Sequence, residues 1–216
     1  MAIWSVEYVI HEKLMSTILL TSAGMQVKDA ILRILPKLPR KMKLAHIVTA
    51  ANVEGYKGYI DDDRRLMEQV GFQIADLDLV GKNRIELRAL LGEKDIIYVQ
   101  GGNTFYLLHH VRESGFDEVI KRLIDRGIIY IGVSAGSIIA GQTIETSVWR
   151  DVDRNVVGLS DLTGLGLVPF NIFVHYSPQY KELILREQPK SKWPLRILTD
   201  DQALLIRDGG RVRYYV

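Results

Sequence analysis

Short apolar runs alternate with longer amphipathic stretches along most of this chain. Residues 18–21, 44–50, 72–79 and 95–100, and the run Ile128-Ile129-Tyr130-Ile131, are rich in β-branched and aromatic side chains, the pattern of buried strands. Between them apolar residues recur at helical spacing over 29–38 (Ala30, Ile31, Ile34, Leu35), 56–70, 84–91, 104–112 and 116–126. In the second of these helices Asp61, Asp62 and Asp63 are assigned to the wet side. Strands and helices in alternation predict βαβ units. The expected fold is therefore α/β, a three-layer, doubly wound, mostly parallel sheet with helices on both faces. In such sheets functional groups gather at the carboxyl ends of the strands.

Beyond Gly141 the pattern changes. Residues 171–174, 203–206 and 211–216 read as short strands, the last two a hairpin around Asp208-Gly209-Gly210. No repeat or low-complexity linker divides the chain, so 15–216 reads as a single domain. Residues 1–14 mix Trp4, Glu7, His11, Glu12 and Lys13 without the apolar core of a signal peptide, and Met15-Ser16-Thr17 directly precedes the first strand. That leading segment is expected to be an extension without chemistry of its own.

Chemistry enters at Gly132-Val133-Ser134-Ala135-Gly136, where an apolar strand meets a G-x-S-x-G turn and the helical run Ile138-Ile139-Ala140 follows. A serine on so tight a turn projects its hydroxyl at the sheet edge, next to the free N–H groups of a helix start. The same pattern also serves as a plain turn or a phosphate cradle, so it needs partners. One βα unit upstream, Gln100-Gly101-Gly102-Asn103-Thr104 follows a strand. Its glycines let backbone N–H groups face negative charge, and Gly102 with Ala135 would make a two-donor oxyanion hole. Asn103 is suited to cap the helix that follows. Of the five histidines, His11 lies in the leader, His46 in mid-strand and His109 and His110 on a helix surface. His175 ends a strand-like run before Tyr176-Ser177-Pro178, the place from which a base can reach a strand-end serine.

Composition narrows the classes. Among 216 residues there is no cysteine, which excludes disulfides, Cys-based zinc sites and cysteine nucleophiles, and is compatible with a reducing cytoplasm. A formal net charge of +2 gives no basic stripe for nucleic acid or a membrane surface, and no apolar run has the length of a membrane span.

In the order and spacing of Gly101-Gly102-Asn103-Thr104-Phe105, Gly132-Val133-Ser134-Ala135-Gly136 and His175, the chain resembles the peptidase E and cyanophycinase group of serine peptidases over most of its length. The resemblance implies a flavodoxin-like, class I glutamine-amidotransferase-like fold and hydrolysis of short peptides without metal or organic cofactor. Ser134 would be the nucleophile, His175 the base, and Gly102 and Ala135 the oxyanion hole. It also implies that a homodimer is in reach. The third member departs from the group. Where peptidase E carries an aspartate in a Thr-Thr-Asn-Asp run, this chain has Thr146-Ser147-Val148-Trp149, with Asp151 and Asp153 nearby. Cyanophycinase-like members use a glutamate after the histidine, and that place falls on Asp200 in Thr199-Asp200-Asp201-Gln202-Ala203. The order of preference is Asp200, then Asp201, Asp153 and Asp151. Peptidase E favours dipeptides beginning with aspartate and cyanophycinase cuts an aspartate–arginine polymer, so cations near the pocket matter. Arg150, Arg154 and Lys181 lie near the motifs, though spacing ties none of them to that role.

Two other classes are weighed. An α/β-hydrolase esterase shares G-x-S-x-G but places its acid before the histidine and carries an HGG-type loop, which is missing here. A non-catalytic flavodoxin-like binding or regulatory protein would keep the elbow as a ligand turn and would not depend on the Ser134 hydroxyl.

Overall fold

The computed structural model describes residues 16–151, 153–207 and 211–215. In chain order the elements are β1 (Thr17–Thr21), α1 (Lys28–Ile34), β2 (Lys43–Ile47), α2 (Gly58–Val70), β3 (Gln73–Leu77), α3 (Arg84–Leu91), β4 (Ile96–Val99), α4 (Thr104–Ser114), α5 (Phe116–Asp125) and β5 (Ile129–Val133). Then come α6 (Ala135–Ile138), α7 (Glu145–Arg150), β6 (Asn171–Phe173), α8 (Lys181–Glu187), β7 (Leu195–Ile197), β8 (Ala203–Arg207) and β9 (Arg211–Tyr215).

Seven strands form one sheet in the order β3-β2-β4-β5-β1-β8-β9, parallel through β1 and antiparallel at β8 and β9. Period-2 alternation within the strands sorts their side chains into two cores. Ile18, Leu20, Ile97, Val99 and Tyr130 pack with Leu107, Leu123 and Ile138 of α4, α5 and α6 on one face. Leu19, Leu44, Ile96, Tyr98 and Ile131 pack with Ile31 and Met67 of α1 and α2 on the other. The result is the expected three-layer, mostly parallel α/β architecture. A separate parallel pair, β6 with β7, lies outside the main sheet. No helix among the described residues is long and apolar enough to cross a membrane.

Several details differ from expectation. Helix α1 stops at Ile34 because Leu35 is extended (φ −72°, ψ 133°), the conformation its following Pro36 favours. The second strand ends at Ile47 and passes into a 3₁₀ turn over Thr49–Ala51. The helix after the elbow lasts one turn, and α7, α8 and β7 have no counterpart among the expected elements. Asp63 is not on the wet side of α2. It sits four residues before Met67 on the buried face, is 8% exposed, and accepts hydrogen bonds from Met25 N (3.1 Å), the Tyr98 hydroxyl (2.5 Å) and Gln100 Nε2 (3.1 Å). Three donors make burial of this carboxylate tolerable, and burial still raises its pKa. Strands β8 and β9 pair as a hairpin, whose turn at 208–210, like the 1–14 segment, lies outside the described residues.

Candidate active site

Three neighbouring strands, β4, β5 and β1, deliver loops to one edge of the sheet. At the end of β5, Ser134 adopts φ 46° and ψ −110°, a region that non-glycine residues occupy only when their surroundings impose it. The imposition is visible. Ser134 N–H donates to Thr21 O (3.0 Å), and its carbonyl accepts from Ser137 N and Ile138 N (2.9 Å each). The buried Ser137 hydroxyl lies 2.8 Å from both Thr21 O and Gly132 O and accepts from Thr21 N (3.0 Å), strapping the turn to β1. Glycine is required where the turn crosses β4, because a Cβ on Gly136 would lie 2.1 Å from Val99 O.

The β4 loop follows the same logic. Gly102 has φ 136°, and a Cβ there would sit 2.5 Å from the Ala50 carbonyl. Asn103 caps α4 by accepting from Tyr106 N (3.0 Å). Gln100 links this loop to the buried carboxylate beneath it, donating to Asp63 while its Oε1 accepts the Gly101 N–H (3.1 Å). Neither Gly102 N–H nor Ala135 N–H finds an acceptor among the described residues.

His175 arrives from the other side, two residues beyond β6, with φ 54°. Its N–H donates to Ser22 Oγ (3.1 Å), and that hydroxyl donates to Leu198 O (3.1 Å). Strand β7 runs parallel to β6 with Phe173 opposite Ile197, and the match continues through Leu198 N to Phe173 O (2.9 Å) and Tyr176 N to Leu198 O (3.0 Å). The chain ends of the pair therefore emerge side by side. That register carries Asp200 to the imidazole. His175 Nε2 lies 2.9 Å from Ser134 Oγ, and its Nδ1 lies 2.6 Å from Asp200 Oδ1. The tautomer consistent with this line has the proton on Nδ1, donated to Asp200, and Nε2 accepting the Ser134 hydroxyl proton.

The structure thus brings together Ser134, His175 and Asp200. It does not bring the other three carboxylates to His175. Asp201 is exposed and accepts from the Thr199 hydroxyl, and Asp151 closes α7 in the left-handed conformation at φ 52°. Asp153 accepts the Thr104 N–H (3.0 Å) at the start of α4.

The groups open onto a cleft of about 670 Å³. Arg150 lines it, its guanidinium 5.3 Å from the Tyr180 ring centroid and 5.8 Å from that of Phe173, with Nη1 donating to Val174 O (3.3 Å). Arg154 and Lys181 are exposed and do not line the cleft. His46 is fully buried against Asp76. Sequence reasoning missed Ser22, Arg65, Glu54 and Tyr59, which all line the cleft. For Ser22 a signal existed, since Ser22-Ala23-Gly24 closes β1 at the carboxyl edge. Burial, then the charge of Asp153, raises the pKa of Glu54. Burial, then Glu54 and Asp153, pushes Tyr59 up to about 12.

Comparison with known proteins agrees with this architecture. The chain resembles, over 93% of its length and 98% of the other's, the crystal structure of a candidate peptidase E protein from Listeria monocytogenes EGD-e, with TM-score 0.82 and 28% identity. It is 31% identical to an uncharacterized peptidase of Pasteurella multocida (PM1590), covering 92% of this chain and 97% of that one. It is 33% identical to a peptidase E of Nostoc, over 62% of this chain and 52% of the relative. Fold and relatives define a peptidase, a hydrolase of peptide bonds. The family pattern matches residues 17–213, and the chain belongs to peptidase family S51.

Proposed function

We propose that this peptidase cleaves short peptides by a serine mechanism in which Ser134 is the nucleophile, His175 the general base and acid, and Asp200 the orienting carboxylate. The observation that carries the reading is the unbroken line of hydrogen bonds Ser134 Oγ–His175 Nε2–His175 Nδ1–Asp200 Oδ1, at 2.9 and 2.6 Å, opening onto the cleft. As Oγ attacks the scissile carbonyl carbon, its proton passes to Nε2 and the carbonyl oxygen becomes an oxyanion. The Gly102 and Ala135 N–H groups receive that charge, an effect of about 3 kcal/mol for a single donor. Collapse breaks the C–N bond, the leaving amine takes the Nε2 proton, and an acyl-serine remains. Water, deprotonated by Nε2, then releases the acid and restores the serine. Asp200 holds the imidazole in the tautomer that leaves Nε2 free and stabilises the imidazolium.

A positive φ at both Ser134 and His175 supports the same reading, because backbone strain at two residues facing one another is typical of imposed reactive geometry. A cleft of about 670 Å³ lies within the usual size range of small-ligand sites, which supports a short substrate. Two cations line the cleft and could meet an acidic side chain, as in the aspartyl preference of peptidase E: Arg150, and Arg65, which also donates to Asp62. A chain without cysteine suits the cytoplasm, where we place the activity. The test is hydrolysis of unblocked short peptides, Asp-X dipeptides among them, by wild type and by Ser134→Ala. Turnover lost in the variant supports the serine mechanism. Equal turnover would falsify it.

A further inference from the structure

The oxyanion loop is carried by two consecutive glycines, Gly101 and Gly102, whose backbone imposes no conformation of its own. The N–H proposed to meet the oxyanion belongs to the peptide between them. In a trans peptide the carbonyl and the N–H point opposite ways, so that donor is aimed only if its surroundings fix the turn. Three contacts do so. Asn103 N–H donates to Ala50 O (2.8 Å), the Tyr59 hydroxyl donates to Gly101 O (3.4 Å), and Gln100 Oε1 accepts Gly101 N–H (3.1 Å). The third is the vulnerable one, because a side-chain amide can turn over and present its donors instead.

Asp63 denies it that freedom. Its Oδ1 accepts Met25 N–H and its Oδ2 accepts the Gln100 amide and the Tyr98 hydroxyl, so neither oxygen is left to carry a proton. An ionised carboxylate only accepts, and Gln100 must therefore turn its NH₂ toward Asp63 and its oxygen toward Gly101 N–H. The packing leaves no alternative place for either group. Gln100 is 1% exposed, and a Cβ on Gly24 would collide with both Asp63 Oδ2 and the Tyr98 hydroxyl. A buried charge gains little stability over an apolar side chain of similar size, so stability alone does not account for an acid here. We propose that Asp63 and Gln100 are positioning residues for the oxyanion hole. The carboxylate orients the amide, the amide holds Gly101 N–H, and Gly102 N–H is thereby aimed at the reacting carbonyl. Both side chains border the cleft, but in this role they act through the loop rather than on the substrate. The assignment rests on Ser134 being the nucleophile and Gly102 N–H an oxyanion donor.

The test exchanges the two polarities. Asp63→Asn sets donor against donor, since its NH₂ faces either the Gln100 amide or Met25 N–H. Gln100→Glu sets two carboxylates together. In the double variant the new amide donates to the new carboxylate, whose other oxygen accepts Gly101 N–H, and every bond returns with donor and acceptor exchanged. Each protein is treated with a fluorophosphonate. Ser134 Oγ attacks phosphorus, the P–O bond forms, fluoride leaves, the Oγ proton passes to His175, and the phosphoryl oxygen takes the oxyanion's place. Mass spectrometry gives the rate and the final fraction labelled. Both single variants should label completely but at least about 10-fold more slowly, and the double variant should return to within about three-fold of wild type. On a peptide that wild type cleaves, the single variants should lose a similar factor in kcat with KM within about two-fold. Single variants that label as fast as wild type overturn the relay. So does a loss confined to KM, a double variant no faster than the slower single one, or an incomplete end point with an unchanged rate per reactive site, which marks a purely structural role. Where a single variant fails to fold, Gln100→Met removes both bonds without adding charge. Its complete labelling at least about 10-fold more slowly supports the relay, and a wild-type rate overturns it. A wild type that no fluorophosphonate labels at Ser134 removes the serine reading and the relay with it, whereas a labelled wild type with indifferent variants removes the relay alone.

Discussion

The two sides of the candidate site are held in different ways. Ser134 stands on the central strands of the main sheet, and its turn is locked by backbone bonds, the buried Ser137 strap and a glycine pressed against β4. His175 and Asp200 stand in the loops that follow a three-residue parallel pair outside that sheet, and their side chains are 32% and 56% exposed. On the first side the fold itself makes the geometry. On the second a few long-range hydrogen bonds do, with Ser22 joining the two. Conformational strain at the elbow is imposed by backbone bonds to β1 and by close packing on β4, whereas at His175 it depends on individual polar contacts.

The sharpest way to break this contrast is at its reactive atoms. Ser134→Ala and His175→Ala should each lower kcat by roughly 10⁴-fold or more. Ser134→Gly should lose the same activity and gain about 1 kcal/mol of stability, since glycine relaxes the strained backbone. An unchanged or lower melting temperature in that variant would show that the elbow is not strained. Asp200→Asn should cost on the order of 10³-fold, less than a buried counterpart because the carboxylate is half in water, while Asp201→Asn and Asp151→Asn stay within about two-fold of wild type. A comparable fall in Asp201→Asn would move the acid.

The supports come next. Gly136→Ala should destabilise by more than about 3 kcal/mol in urea titration, as its Cβ meets a backbone oxygen that cannot yield. Ser22→Ala should reduce kcat about 10-fold with KM little changed, and Ser22→Thr should restore it; a KM effect alone would remove Ser22 from the alignment of His175. The smallest effect lies far from both sides. His46 is buried and, chiefly through that burial, its pKa is lowered. The unfolded chain then binds the proton that the fold refuses, so the stability His46 contributes is present above its ordinary 6.5 and is lost as pH falls below it. Between about pH 7.5 and pH 5.5 the urea midpoint of His46→Gln should fall less than that of wild type. Equal falls would assign the pH dependence to other groups.

Where the signals are local, the sequence is informative. The β4 loop, the elbow and the position of His175 at a strand end are each written within a few residues, and the alternation of β1 to β5 with helices dictates the parallel sheet. Which of four carboxylates meets His175 is decided by the pairing of Phe173 with Ile197. Strand β7 is three residues long, too short to show alternation, so the register had no local trace. Asp63 misleads for a related reason. Its spacing from Met67 marks it as inward-facing, but only Tyr98, Gln100 and the Met25 N–H, all distant in sequence, make that position habitable for a charge. Asp153 likewise stands close to the elbow in sequence and serves the neighbouring loop instead.

The small β6–β7 pair has a thermal consequence. A unit of two three-residue strands that shares no ladder with the main sheet can open locally while the seven strands remain intact. Catalysis would then have a melting point of its own, below that of the molecule: on warming, turnover should fade while the far-ultraviolet signal of the sheet persists, and should return on cooling. Amides of 171–173 and 195–198 should accordingly exchange with solvent sooner than those of β4 and β5.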